Sequence, residues 1–161
     1  WLMGNPTPVA VSGAAYTKFA NSDLSDSENS KFGESKEDGT FDVEDLAMGF
    51  IRFDNGAVLQ LEFSWASNIE KETRFVELRG TKAGLTLEPK KLRLYYEKNG
   101  KLLNRSFIKG DGGGHGQNIR NFVDVVLGEG KPVFEPQQGV DMIKILTAIY
   151  ESAKTGREVV L

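Results

Sequence analysis

His115 is the only histidine in the chain, and Asp111 stands four residues before it. On a helix that spacing would set a carboxylate and an imidazole on one face, a usable acid-base pair. Gly112, Gly113 and Gly114 lie between them, and three glycines make a helix improbable there. His115 therefore reads either as a solvated loop residue or as a contact to a ligand bound beside the loop. A lone histidine cannot supply a histidine metal cluster, and no second imidazole shares proton transfer with it. The run Gly112 to Gly116 looks superficially like a dinucleotide turn, but Gln117 stands where the third glycine of G-x-G-x-x-G belongs, and no following strand ends in an acid. It reads as a flexible connector, or as a substrate-facing loop at a helix N-terminus.

Other carboxylates and aromatics invite the same two-sided reading. Glu44 and Asp45 open a strand and Glu62 lies on its return, so paired carboxylates could exchange a proton; strand-edge carboxylates are more commonly solvated. Trp65 ends an apolar strand and leads through Ala66 and Ser67 to Asn68, as a core residue or as the wall of a ligand pocket. Without a G-x-S-x-G elbow, and with a single possible base, no hydrolytic triad is supported.

The elements that must position these residues are mostly strands. Val9 to Phe19 alternates as a strand at or near an edge, with Val9, Val11 and Gly13 on one side. Asn21 to Thr40 is polar, with Leu24 and Phe32 its only anchors, and reads as a long loop or flap. A hairpin follows, Val43 to Phe53 and Ala57 to Trp65, around Asp54-Asn55-Gly56, whose Asn-Gly favours the positive φ of a tight turn. Thr73 to Arg79, Ala83 to Glu88, Lys91 to Glu97 and Lys101 to Ile108 form a meander. Ile119, Phe122, Val123, Val126 and Leu127 mark one helix ending at Gly128. A second runs from about Gln138 to Lys154 with Val140, Ile143, Leu146, Tyr150 and Ala153 inward, and Val159 to Leu161 could add a last strand. Strands followed by helices, without βαβ alternation, predict an α+β fold: an open, mostly antiparallel β-sheet with helices packed on one face, and one domain over residues 1–161. An uncovered face carrying Leu59, Leu61 and Phe63 would need a second layer from a neighbour.

Composition narrows the partners. A net charge of -3 offers no field for a phosphate backbone, which argues against nucleic acid. The chain has no cysteine, which excludes thiolate chemistry and is compatible with a reducing cytoplasm. No apolar stretch approaches the roughly 20 residues of a membrane span, and no basic-then-apolar leader opens the chain. It begins Trp1-Leu2-Met3-Gly4, which reads as a helix cut at its last turn and the chain as a fragment.

Three stretches, VEDLAMGFIRFDNGAVLQLEFSW at 43 to 65, VELRGTKAGLTLEP at 76 to 89 and GQNIRNFVDVVLGEGKPVFEPQQGVDMIKILTAIYESAKTGREVVL at 116 to 161, resemble in order and spacing the C-terminal domain of the glucose-fructose oxidoreductase, inositol dehydrogenase and MocA (Gfo/Idh/MocA) family. The resemblance implies a C-terminal sheet domain of the kind shared with dihydrodipicolinate reductase and glyceraldehyde-3-phosphate dehydrogenase. It implies a separate N-terminal Rossmann domain, absent from this chain, that holds NAD or NADP. This domain would form the substrate side of a sugar, inositol or polyol oxidoreductase and a homo-oligomer interface through the open sheet face. The family's catalytic lysine and Asp-x-x-x-His pair have no counterpart here: Glu88-Pro89-Lys90 is in the wrong order, and Asp111 and His115 sit in the wrong place. No catalytic, cofactor or metal residue is therefore expected in the chain. What carries over is a set of substrate-side candidates, Trp65 and Asn68 after the hairpin and His115, Gln117 and Asn118 near the first helix. A scaffolding domain and a carbohydrate-binding module are the rival readings.

Overall fold

The computed structural model describes residues 2–19, 40, 42–108 and 114–161. Most of the Asn21 to Thr40 loop, and Trp1, Asp111, Gly112 and Gly113, lie outside the described residues. The element order is β1 (Pro8–Tyr16), β2 (Leu46–Phe53), β3 (Val58–Ser64), β4 (Val76–Arg79), β5 (Ala83–Glu88), β6 (Lys91–Lys98), β7 (Lys101–Ile108), α1 (Gly114–Val126), α2 (Pro136–Thr155) and β8 (Val159–Val160). The α+β class and the antiparallel pairing are as read from the sequence. The single open sheet is not: the strands form two four-stranded sheets, β3-β2-β1-β8 and β4-β5-β6-β7. The chain divides accordingly into two compact units, residues 1–68 with 134–161, and residues 69–133.

In the first unit, sheet register follows the side-chain alternation. Val11 pairs with Ile51 and Gly13 with Gly49, while Ile51 pairs with Leu59 and Gly49 with Leu61. Val11, Ile51, Phe53, Ala148 and Ile149 form the buried core, with Met3, Ala57, Leu61, Ile145 and Val159 packed against it. Leu61 thus faces α2 rather than an uncovered side. The opposite face carries Ser12, Met48, Phe50, Arg52 and Gln60, with the Arg52 guanidinium 5.0 Å from the Phe50 ring and 3.1 Å from Glu158.

The side of α2 that meets the sheet is also different from the one expected. Ala148, Ile149 and Ser152 are its buried residues, whereas Val140, Ile143, Leu146 and Tyr150 are exposed. Close approach decides this. A Cβ on Gly13 would lie 2.9 Å from Ile149 Cγ2, and one on Gly49 would lie 2.9 Å from Ile149 Cδ1. The two paired glycines form a shallow seat in which one isoleucine sits. Pro136 starts α2, with Glu135 N–H donating to Gln138 Oε1 at 3.0 Å, and Gly156 ends it at φ 66, the left-handed stop such helices favour.

β1 lies near an edge, as expected, next to the short edge strand β8. β8 covers it at Ala10 and Val11, and β2 flanks its other side. A register shift between Pro8 and Ala10 leaves Val9 without a partner in β2, while its C=O accepts the Leu161 N–H at 3.0 Å; a bulge is a position where a proline fits a strand. The β2–β3 turn uses one left-handed residue, Gly56 at φ 82, and Asn55 Oδ1 accepts the Ala57 N–H at 3.0 Å. The two-residue turn with both φ values positive is Asn99-Gly100 instead, at 54 and 72, the geometry that best matches strand twist.

The second unit is the expected meander. Leu78, Leu85 and Leu94 lie in one cross-strand row and Val76, Leu87, Leu92 and Phe107 in the next. The helix expected over Ile119 to Leu127 is present as α1, but it packs on no strand of its own unit among the described residues. α2 covers one face of the sheet β3-β2-β1-β8, as expected of a terminal helix.

Candidate functional site

Trp65 follows the last residue of β3. Its N–H donates to Asp45 O at 2.8 Å, and Asp45 N–H in turn donates to Tyr16 O at 2.9 Å. One residue thereby ties the ends of β1, β2 and β3 together. The Ser64 hydroxyl donates to Ala66 O at 2.9 Å, and Ala66 is buried. The Trp65 backbone is fixed on both sides while the residue is 57 % exposed. A large aromatic left open on a rigid backbone is a ready stacking surface for a ligand with an apolar face.

Asp45 is 2 % exposed. Its Oδ2 accepts the Phe19 N–H at 2.6 Å and the Lys18 N–H as well. Such charge-assisted bonds to backbone amides are stronger than neutral ones. Its neighbour Glu44 takes a different role. Glu44 Oε2 accepts the Tyr150 hydroxyl of α2 at 2.6 Å. That bond raises the Tyr150 pKa above its ordinary value, helped by burial and by the Glu44 charge. Holding the proton on the phenol favours the neutral donor over the phenolate. The first unit therefore holds a hydrogen-bonded carboxylate and phenol, Glu44 and Tyr150, and an exposed tryptophan, Trp65, groups able to exchange hydrogen bonds with hydroxyls and to stack on a ring.

Trp65 and Asn68 both belong to this unit, and both are exposed. His115, Gln117 and Asn118 belong to the other, in the opening turns of α1, all exposed. His115 is thus helical, contrary to the loop expected from its glycines; the helix begins at Gly114, with φ 46, so only Gly114 and Gly116 of the run bear on it. Tyr150 was read as core in the sequence and Glu44 as a carboxylate for proton exchange or solvation. Their pairing spans 106 residues, and no local signal announces it.

Every strand pair among the described residues is antiparallel, so there is no βαβ crossover to place a pyrophosphate on a helix N-terminus.

The family model "Oxidoreductase family, C-terminal alpha/beta domain" matches residues 1–161. D-glucoside 3-dehydrogenase of Escherichia coli (strain K12) is 31% identical over 163 residues, covering 100% of this chain and 44% of that protein. Levoglucosan dehydrogenase in complex with NADH and levoglucosan superposes with a TM-score of 0.73 at 20% identity, over 96% of this chain and 45% of its own. The aldose-aldose oxidoreductase of Caulobacter crescentus, complexed with glycerol, gives a TM-score of 0.68 at 19% identity, over 97% of this chain and 42% of its own. These features define an α+β domain of the oxidoreductase type, and the chain belongs to the Gfo/Idh/MocA family as its C-terminal domain. It spans less than half the length of the curated relative it matches.

Proposed function

We propose that the chain is the substrate-side domain of an NAD(P)-dependent oxidoreductase acting on a sugar or related polyol. The observation that carries the reading is Trp65, an exposed aromatic residue on an anchored backbone, in the same unit as the Glu44–Tyr150 hydrogen bond. Aromatic stacking against the apolar face of a pyranose, with a carboxylate and a phenol exchanging hydrogen bonds with its hydroxyls, suits such a substrate. The relatives named for D-glucosides, levoglucosan and aldoses support the same class. In this reading a separate Rossmann domain holds NAD or NADP and supplies hydride transfer in the cytoplasm. This chain contributes fit, with Trp65, Asn68, His115, Gln117 and Asn118 as its substrate-side candidates.

The test is reduction of NAD+ or NADP+ by the full oxidoreductase with a panel of glucosides and free aldoses. Trp65→Ala is expected to lower kcat/KM by about tenfold or more, the loss of one buried stacking contact. Absence of turnover with every sugar, or an unaffected Trp65→Ala enzyme, would refute the reading. The isolated chain is expected not to bind NADH; tight binding by calorimetry would contradict it.

The face of the first sheet away from α2 supports a further element of the reading, self-association. Met48 and Phe50 are more than a third exposed there, flanked by Arg52 and Glu158, a mixed apolar and polar surface of the kind interfaces use. Phe50→Glu is expected to lower the mass seen by light scattering. An unchanged mass in a folded variant would count against assembly through this face.

A further inference from the structure

We infer that Asp45 is a positioning residue for Trp65, holding the ring where a substrate would meet it; this rests on the substrate-side reading of Trp65. Asp45 is among the most buried polar residues of the first unit, and each of its main hydrogen-bonding groups is committed. Its N–H donates to Tyr16 O and its C=O accepts from Trp65 N–H. Its carboxylate accepts the N–H groups of Lys18 and Phe19.

The carboxylate draws the chain leaving β1 onto the start of β2, and the peptide of the same residue holds the chain leaving β3. Without the carboxylate, two backbone donors lose their acceptor, and groups left unsatisfied inside a protein drive local rearrangement. The adjustment falls first on the Asp45 peptide, which is one hydrogen bond from Trp65. Side chains that present a site are held this way by neighbours that do not touch the ligand, and small displacements there are felt strongly in substrate fit.

The experiment has two arms. In a Trp1→Phe background Trp65 is the sole tryptophan of this chain, and its fluorescence anisotropy and acrylamide quenching report how firmly the ring is held. Asp45→Ala is expected to lower the anisotropy and raise quenching about twofold, with the far-UV spectrum retained. Asp45→Asn keeps a carbonyl oxygen able to accept both N–H groups and is expected to restore most of the parent behaviour. If Asp45→Ala does not fold, Asp45→Glu, which displaces the carboxylate by a methylene, takes its place with the same expectation. In the full oxidoreductase, with methyl β-D-glucoside as probe, the loosened variants are expected to raise KM about tenfold with kcat changed less than about twofold. Anisotropy unchanged in the Ala and Glu variants overturns the inference, as does a loss that appears only together with loss of the sheet's far-UV signature. An unaltered KM in Trp65→Phe and Trp65→Ala would instead sink the substrate-side reading, leaving the fluorescence to decide on Asp45.

Discussion

The Ser152 hydroxyl of α2 accepts the N–H of Gly13 at 2.9 Å, just past the point where β8 stops covering β1. A strand that loses its neighbour midway exposes a row of unpaired donors and acceptors. Here a helix side chain completes the hydrogen bonding that a longer β8 would have supplied. Ser152→Ala removes that acceptor while leaving volume nearly unchanged. A loss of about 1 to 2 kcal/mol is expected, measured as the shift in urea midpoint, with Ser152→Thr less damaging only if its extra methyl finds room.

Gly13 and Gly49 form the seat for Ile149, but they are not equivalent. A methyl on Gly13 would meet the Ile149 backbone as well as its side chain, whereas a methyl on Gly49 meets mainly the tip of the Ile149 side chain and Leu61. Backbone cannot yield as a side chain can. Overpacking of about 1 to 3 kcal/mol is expected for Gly13→Ala, and less for Gly49→Ala. Thermal unfolding of the two variants side by side checks the order; equal losses would contradict it.

Truncations along α2 distinguish its two apolar sides. Ile149→Ala is expected to cost about 2 to 5 kcal/mol, because Ile149 is buried in the core and its removal leaves a cavity. Leu146→Ala, at an exposed position, should cost about 1 kcal/mol or less in this chain. The comparison is made by chemical denaturation, and the reverse order would mean that α2 is turned about its axis.

Tyr95 and Tyr150 should not ionise together. The hydroxyl of Tyr95 accepts from Thr86 and is stabilised further by Arg93, which lowers its pKa; Tyr150 donates to Glu44, which raises its own. Of the two, Tyr95 is expected to form its phenolate before Tyr150. Tyr95→Phe should remove the earlier of these two steps, and Glu44→Gln should bring the Tyr150 step back toward the ordinary tyrosine value. For stability the sign follows from the raised group. The Tyr150 bond contributes fully below the unfolded pKa of 10.0 and is lost as pH climbs through the higher folded value. Alkaline denaturation of Tyr150→Phe is the check.

Strand positions were legible because alternation and turn residues are local. Val58 to Ser64 alternates plainly, and Gly56 and Asn99-Gly100 mark the turns. The ends of α2 were legible for the same reason, from Pro136 and Gly156. Its inward side was not, since apolar residues occur on two sides of the helix, and the choice falls to glycines on distant strands that admit Ile149. The split into two sheets was hidden too, because turn signals do not say which strand ladders join. His115 was misjudged by weighing glycines that mostly precede the helix. At the site, Trp65 was visible as an aromatic closing a strand. The Glu44–Tyr150 pair was not, since only the packing of α2 brings residues so far apart in the chain together.

The clamp between Gly13 and Ser152 joins residues 139 positions apart, whereas the meander between them is built from neighbouring hairpins. During synthesis, β4 to β7 can pair as soon as each turn emerges, but the first sheet must wait with its glycine seat empty until Ile149 is made. Local pairings form faster than distant ones. Nascent chains halted shortly before α2 should therefore show a protease-resistant middle flanked by a digestible beginning, and holdase chaperones should bind that beginning.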